Sequence, residues 1–274
     1  MSTQYILIDG QFHFSTEKEI PVSLFDNLLF REKIRSVRNV IPFWKDHLQV
    51  IALKLKLFNQ PVPTFLQNEG KELKRQIERT LVKNKLFQSA IIHLHLFLNE
   101  NRHSYIIKTT PILSTSYTLN TSGLCIAIYE KITKGISPLS SLDLGSEPLW
   151  KLVRTDNQQN EFDELLLTNS ENSILEAPAK NIYVIKGKHV FTPSPEIGTY
   201  IDYSQHTICQ VSDKLNLKIQ LMDHLNEEVL LQADEIFLAS STNGIEWVKS
   251  FKNKRYFNKT IKLIHAEFNH LLLV

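Results

Sequence analysis

The chain has 274 residues, enough to bury a sizeable core in one large domain or two of ordinary size, and its 42% hydrophobic and 22% charged residues describe a soluble globular protein. A formal net charge of +2, with the basic residues spread along the chain, is too small to imply a nucleic-acid partner. Cys125 and Cys209 stand far apart with no CxxC pattern, so neither a disulfide framework nor a zinc site is indicated. With no basic N-terminal region ahead of an apolar run, and no apolar stretch of spanning length, the expectation is a cytoplasmic protein with no membrane partner.

YILIDGQFHF (5–14) predicts a hairpin turning at Asp9-Gly10, and FREKIRSVRNVIPF (30–43) a second one turning at Arg38-Asn39. A helix is expected from about Lys45 to Phe58, with Ile51, Leu55 and Phe58 at helical spacing. A second runs from about Pro63 to Lys85, where KELKRQIERTLVKNK mixes acids and bases as a solvated face does. SAIIHLHLFLN (89–99) and HSYIIKTTPI (103–112) alternate apolar and polar residues, as paired strands do. His93, His95 and His103 lie close enough there to raise the question of zinc, but polar residues on the wet face of a strand are the commoner explanation, and no metal site is assigned.

LSTSYTLNTSG (113–123) is polar and lacks periodicity, as a linker does. A strand (Leu124–Tyr129) follows it. An irregular stretch then runs to Glu147, and a helix from there to about Asn160. Strands with two helices come next, and a last helix begins near Asn258. This order implies two α+β domains, 1–117 and 118–274, with a cleft between them.

Two segments carry most of the information: ILEAPAKNIYVIKGKHVFTPSPEIGTY (174–200) and LLQADEIFLASSTNGIEWV (230–248). They read as a buried strand ending in Glu176, a turn, a strand pair, a helix, and a strand running into a hydroxyl-rich loop. In the order and spacing of Glu176, Asn181, Thr192-Pro193, Ala233-Asp234-Glu235 and Ser241, the chain resembles the class IV (fold-type IV) aminotransferases. That family includes branched-chain and D-amino-acid aminotransferases and 4-amino-4-deoxychorismate lyase. The resemblance implies a two-domain D-amino-acid-aminotransferase-like α+β fold, a homodimer, and a small-molecule ligand in the interdomain cleft. Strands 89–111 and the helix over 43–58 are the candidate dimer surfaces, since both carry more apolar residues than a free surface needs. It also implies pyridoxal phosphate, which needs a lysine for the Schiff base, a carboxylate at the pyridine nitrogen and a phosphate cup.

The resemblance places the carboxylate at Glu176; the local alternative is a strand-end glutamate, solvated or paired with Lys180. Aligned backward from Glu176, the family lysine falls on Asp143, or on Leu144 with a one-residue shift, and an aspartate cannot form an imine. Lys134 lies well before that point and Lys151 about two helical turns beyond it, so neither is expected to supply the amine. Val50 stands where the family has a phosphate-binding arginine. The phosphate-binding helix opens Ile201-Asp202-Tyr203-Ser204, where Asp202 is a natural N-cap that would satisfy the free N–H groups and repel phosphate. Ser241 and Thr242 are the phosphate-side hydroxyls that remain. The family's N-terminal signature is shortened to Asp26 through Glu32, with Arg31 replacing an aromatic.

The expectation is therefore a degenerate member with Asp143 at the lysine position. Pyridoxal phosphate should bind weakly and without a covalent link, and the protein should serve as a binding or partner protein. The alternative is an active aminotransferase or 4-amino-4-deoxychorismate lyase that recruits Lys151 or Lys134. Asp202, Ser204 and His206 cluster in sequence but face different ways on a helix, so no catalytic triad is expected, and Cys209 is expected to be buried as a small apolar residue.

Overall fold

The structure, a computed structural model, describes residues 4–16, 27–38, 40–99, 102–137, 139–158 and 162–273. The chain divides into two compact units, one up to Ser116 and one from Tyr117 to Leu272.

The first unit is built on a five-stranded sheet in the order β2-β1-β5-β4-β3. Strands β1 (Tyr5–Ile8) and β2 (Gln11–Phe14) form the expected hairpin. Asp9 and Gly10 have φ of 45° and 88°, the positive values that a tight two-residue turn between twisted strands demands. Strand β3 (Leu28–Val37) pairs along its length with β4 (Ser89–Asn99), which in turn pairs with β5 (Arg102–Ile112). The second predicted hairpin does not form. Phe30–Val37 is one arm of the β3–β4 ladder, and beyond the turn at Arg38 a single bridge, Val37 to Val40, is all that returns. Pro42 has no N–H to extend a returning strand, whereas the apolar alternation of β4 offers a full-length partner. Asn39 lies outside the described residues.

Helix α1 (Trp44–Leu57) buries Ile51 and Leu55, and α2 (Gln67–Lys83) buries Leu73, Ile77 and Leu81. Phe58 follows the end of α1, 41% exposed, and stacks on Phe30. Beneath α1 lies a buried charge cluster. Glu32 of β3 meets His47 Nδ1 at 2.8 Å and Lys54 Nζ at 2.7 Å, and the three residues are at most 2% exposed. His47 and Lys54 are seven residues apart, so α1 presents both on one face. Burial alone would raise the Glu32 carboxyl, but Lys54 and His47 beside it hold it down at about 2.

In the second unit the strand path is β11-β10-β9-β12-β13-β6-β7-β8, with β14 (Lys254–Arg255) on β13, and β8 returns to pair with β9. The strands are β6 (Leu124–Ile128), β7 (Glu164–Thr168), β8 (Ile174–Ala177), β9 (Lys180–Lys186), β10 (His189–Pro193), β11 (Lys218–Met222), β12 (Glu235–Ser240) and β13 (Gly244–Phe251). Strands β8 and β10 share one edge of β9 and β12 takes the other, so β9-β12-β13-β6-β7-β8 closes as a barrel. Its interior holds Ile126, Leu166, Ile174, Ile182, Val184, Ile236, Leu238 and Val248. β6 and β7 run parallel, joined by a crossover through α3 (Asp143–Asn157), which packs Trp150 and Val153 against Leu165 and Leu167 of β7.

The remaining helices are α4 (Ser204–Lys214), α5 (Glu227–Gln232) and α6 (Lys259–Leu273). Helix α3 begins at Asp143 rather than at Glu147: Pro148 falls inside it, close to its start, instead of opening it. Cys209 is half-buried, not buried as expected. No helix among the described residues is long and apolar enough to cross a membrane, and no group of three or more His, Cys, Asp or Glu among them could hold a metal ion. His93 Nε2 meets Thr110 Oγ1 at 3.2 Å.

Candidate functional site: two buried carboxylates joined by one strap

Strand register fixes where Glu176 points. It sits opposite Leu167 on β7 and Asn181 on β9, and directly paired residues share a face. Leu167 packs toward α3, so Glu176 lies on the outer, helix-covered face of the barrel, fully buried. Lys180, one residue before Asn181, points to the other face and pairs with Glu164 at 2.6 Å and Glu246 at 2.7 Å. The suggested Glu176–Lys180 pair is therefore excluded by strand alternation.

Glu176 is paired with Lys134 instead. Past β6 the chain runs beside β7, with Tyr129 N–H donating to Leu166 O and Lys134 N–H to Thr168 O. The 4%-exposed Lys134 side chain then turns onto Glu176, its Nζ 2.8 and 2.9 Å from the two carboxylate oxygens and 2.9 Å from Ser140 O. The Ser140 hydroxyl fixes that turn by donating to Gly135 O. Trp150 Nε1–H donates to Glu176 Oε1 at 2.8 Å and Tyr200 N–H to Oε2 at 2.5 Å. Trp150 and Tyr200 meet edge to face with centroids 4.8 Å apart. Burial pushes the Glu176 carboxyl up and the Lys134 ammonium down, and their mutual attraction resists both. Every hydrogen bond described to Glu176 comes from a donor, the arrangement that suits an ionised carboxylate.

A second buried carboxylate lies at the end of the same segment. Asn181 holds it: its Nδ2–H donates to Tyr200 O at 2.5 Å and its Oδ1 accepts Asp202 N–H at 3.0 Å. Residues 200–202 thus form a strap from Glu176 to Asp202. Asp202, 3% exposed, accepts Ser204 N–H at 2.8 Å and Ser241 N–H at 2.6 Å on Oδ1, and Ser241 Oγ–H at 3.0 Å on Oδ2. Burial pushes its carboxyl up, while the bonds from Ser204 and Ser241 pull the other way. Ser241 is itself fixed, its carbonyl accepting the Tyr117 hydroxyl at 2.8 Å. The next turn brings Gly244 against Tyr117 at φ +76°, where a Cβ would sit 2.6 Å from the ring.

Of the residues singled out in the sequence, Glu176, Asp202 and Ser241 meet along this strap. The Thr242 hydroxyl lies 3.3 Å from Ser240 Oγ. Asp143 is the first residue of α3, half-buried, and Ser141, two residues before it, accepts Ile201 N–H at 3.1 Å. Val50 is half-buried on α1 in the first unit, and Asp26 lies outside the described residues. Lys151 is exposed on α3. Sequence spacing kept Lys134 out of the site and passed over Trp150 and the Tyr200 amide. A signal existed for two of them, because a buried carboxylate must find donors and a buried tryptophan N–H must find an acceptor.

The family model for amino-transferase class IV matches residues 29–251, from the start of β3 to the end of β13. A probable branched-chain-amino-acid aminotransferase of Synechocystis is 26% identical over 102 residues, 37% of this chain and 33% of that relative; the match thus spans a third of the relative's length. The solved branched-chain amino acid aminotransferase of Escherichia coli superposes with a TM-score of 0.83 at 18% identity, covering 99% of this chain and 95% of that one. The Thermobaculum terrenum enzyme of the same name, in its PLP holo form, gives 0.81 at 13% identity over 99% and 94%. These likenesses bear out the expected α+β class IV fold, and the extent of the family match settles the assignment: the chain belongs to the amino-transferase class IV family.

Proposed function

We propose that this chain is a class IV aminotransferase-fold protein without Schiff-base chemistry, acting as a binding or partner protein. The observation that carries the reading is the Lys134–Glu176 pair. By family resemblance, this carboxylate is the partner of the pyridine nitrogen of pyridoxal phosphate, the electron sink for transamination when bound. The residues here do not fit that group. Both Glu176 oxygens are engaged by Lys134, Trp150 and Tyr200, and a ring nitrogen could take its place only by displacing the ammonium and leaving a buried cation unpaired. Asp143 stands at the aligned lysine position and Val50 at the aligned arginine. A charge-assisted hydrogen bond is worth about 1.5–3 kcal/mol, so doing without two of them weakens cofactor binding by roughly two to four orders of magnitude.

The test is to add pyridoxal phosphate to the purified protein, reduce with borohydride and weigh the intact chain. The expected result is no visible band beyond that of free cofactor and no mass adduct. A stoichiometric adduct would end this reading.

One observation favours a second reading, an active aminotransferase or 4-amino-4-deoxychorismate lyase. Lys134 is a buried amine whose basicity burial depresses, as a Schiff-base lysine requires. In that case the adduct maps to Lys134. It ranks second because contact with Glu176 puts the amine at the ring-nitrogen end, across the ring from the aldehyde.

The homodimer belongs to the same proposal, with helix 43–58 and strands 89–111 as contact surfaces. Leu53 and Leu57 on that helix are 45% and 47% exposed. Sedimentation at micromolar concentration should show a species of twice 31.8 kDa, and a monomer alone would count against it.

A further inference from the structure

We propose that one end of the second unit's barrel binds an aliphatic di- or polyamine, in a cavity between the ends of β6 and β7 and the start of α5. The site is independent of the Lys134–Glu176 pair, and its test involves neither that lysine nor a cofactor.

Strand direction places the cavity. β13 and β7 both run parallel to β6, while β12 runs antiparallel to β13, so β6 and β7 end where β12 begins. Ser241 follows the far end of β12, so the cavity and the Ser241 contact with Asp202 lie at opposite ends of the barrel. The cavity holds about 500 Å³, a small-molecule size, and barrel mouths commonly host such sites. Ile128 and Thr168, the last residues of β6 and β7, line it, with Asn172 from the β7–β8 turn and Asn226 ahead of α5.

Apart from Ile128 and Tyr129, every lining residue is polar or charged, which rules out a purely apolar ligand. Three of them, Glu130, Glu227 and Glu228, are carboxylates, and none is a lysine or arginine. Lys252 answers Glu227 from outside, and Glu228 accepts Gln232 Nε2–H at 2.9 Å. Glu130 is exposed and has no ion pair among the described residues. His224, which also lines the cavity, is tied through Nδ1 to the Ser173 hydroxyl at 2.8 Å. The charge left over is negative, so the fitting occupant is a cation. No group of three or more His, Cys, Asp or Glu among the described residues could hold a metal ion, so that cation is organic. Its charges have two places to go, because Glu130 follows β6 while Glu228 stands on α5. Ile128 offers an apolar surface to the methylene groups between them.

Thr168 is the second, independent observation. It pairs with Ile174, a residue of the barrel interior, so its side chain faces inward at the cavity floor. It is 6% exposed, and its hydroxyl makes no hydrogen bond to another described residue. A buried hydroxyl is ordinarily paired, and this one faces a cavity instead. An ammonium group carries three N–H donors, so it can use the Thr168 oxygen together with a carboxylate.

The experiment is calorimetric titration of the full chain with spermidine and with putrescine, at constant ionic strength. One saturable site per chain is expected, with butylamine and magnesium ion binding at least about tenfold more weakly. Glu130→Gln and Glu228→Gln should each weaken spermidine binding roughly tenfold, since each removes a charge-assisted contact. Thr168→Val, which removes the hydroxyl at nearly constant volume, should weaken it by a similar factor, and Thr168→Ser should retain it. Should Thr168→Val fail to fold, Glu130→Gln decides, because Glu130 is exposed and its replacement leaves the core untouched.

No saturable binding of either amine would overturn the proposal. So would butylamine or magnesium ion binding as tightly as spermidine, or unchanged affinity in Glu130→Gln or in folded Thr168→Val.

Discussion

Lys134→Met should cost the protein about 3–5 kcal/mol at neutral pH, the effect of leaving one member of a buried ion pair without the other. Glu176 is fully buried, and after the substitution Trp150 Nε1–H and Tyr200 N–H are the donors left to it. Its carboxyl, already raised by burial, then loses the Lys134 charge that opposed the rise. A group whose folded pKa lies above its unfolded one gains stability as pH falls, because the folded state takes up the proton first. The deficit of Lys134→Met relative to wild type should therefore shrink on acidification from neutrality. Pairing it with Glu176→Gln should recover much of the loss, since neutral replacement of both partners removes the stranded charge. Urea unfolding followed by tryptophan fluorescence measures wild type and both variants. A Lys134→Met cost below about 1 kcal/mol would show that no buried charge was stranded.

Glu32→Gln should be comparably damaging, about 3–5 kcal/mol, because it leaves Lys54 and His47 buried without their carboxylate. Here the pH dependence runs the other way. The carboxyl is held at about 2 against an ordinary value of 4.5. Its contribution is fully present above the unfolded value and disappears as pH falls through the folded one. That lowering corresponds to on the order of 3 kcal/mol, lost between about pH 5 and pH 2. The wild-type unfolding free energy should fall across that window, and the Glu32→Gln curve should be flatter there. Parallel curves for the two proteins would rule out Glu32 as the source of the acid sensitivity.

What the sequence revealed and what it hid divide along physical lines. Asp9-Gly10 and the strands over 89–112 were legible because turn chemistry and alternation are local. Glu176, Asn181 and Ser241 were singled out by the resemblance to the class IV aminotransferases, which local pattern alone would not have given. The β3 segment misled because Arg38-Asn39 has turn-like chemistry, while its partner strand lies some fifty residues away at Ser89–Asn99. Lys134 was hidden for a related reason. It is 42 residues from Glu176 in an aperiodic segment, and a single backbone bond to Thr168, next to the β7–β8 turn, delivers it to the carboxylate. The Tyr200 contact is made by an amide that every residue but proline carries, so no side chain could have announced it.

Asn181 clamps residues 200–202 on both sides, which bears on any attempt to open this region by substitution. Installing a lysine at Asp143 changes neither filled end. Freeing Glu176 alone strands a charge, and freeing Asp202 alone strands the donors of Ser204 and Ser241, while the strap holds the neighbouring end in place. Each single step therefore lowers stability on its own. On the proposed reading the clamp makes the two ends interdependent: loosening either one alone leaves buried groups stranded while the other stays held.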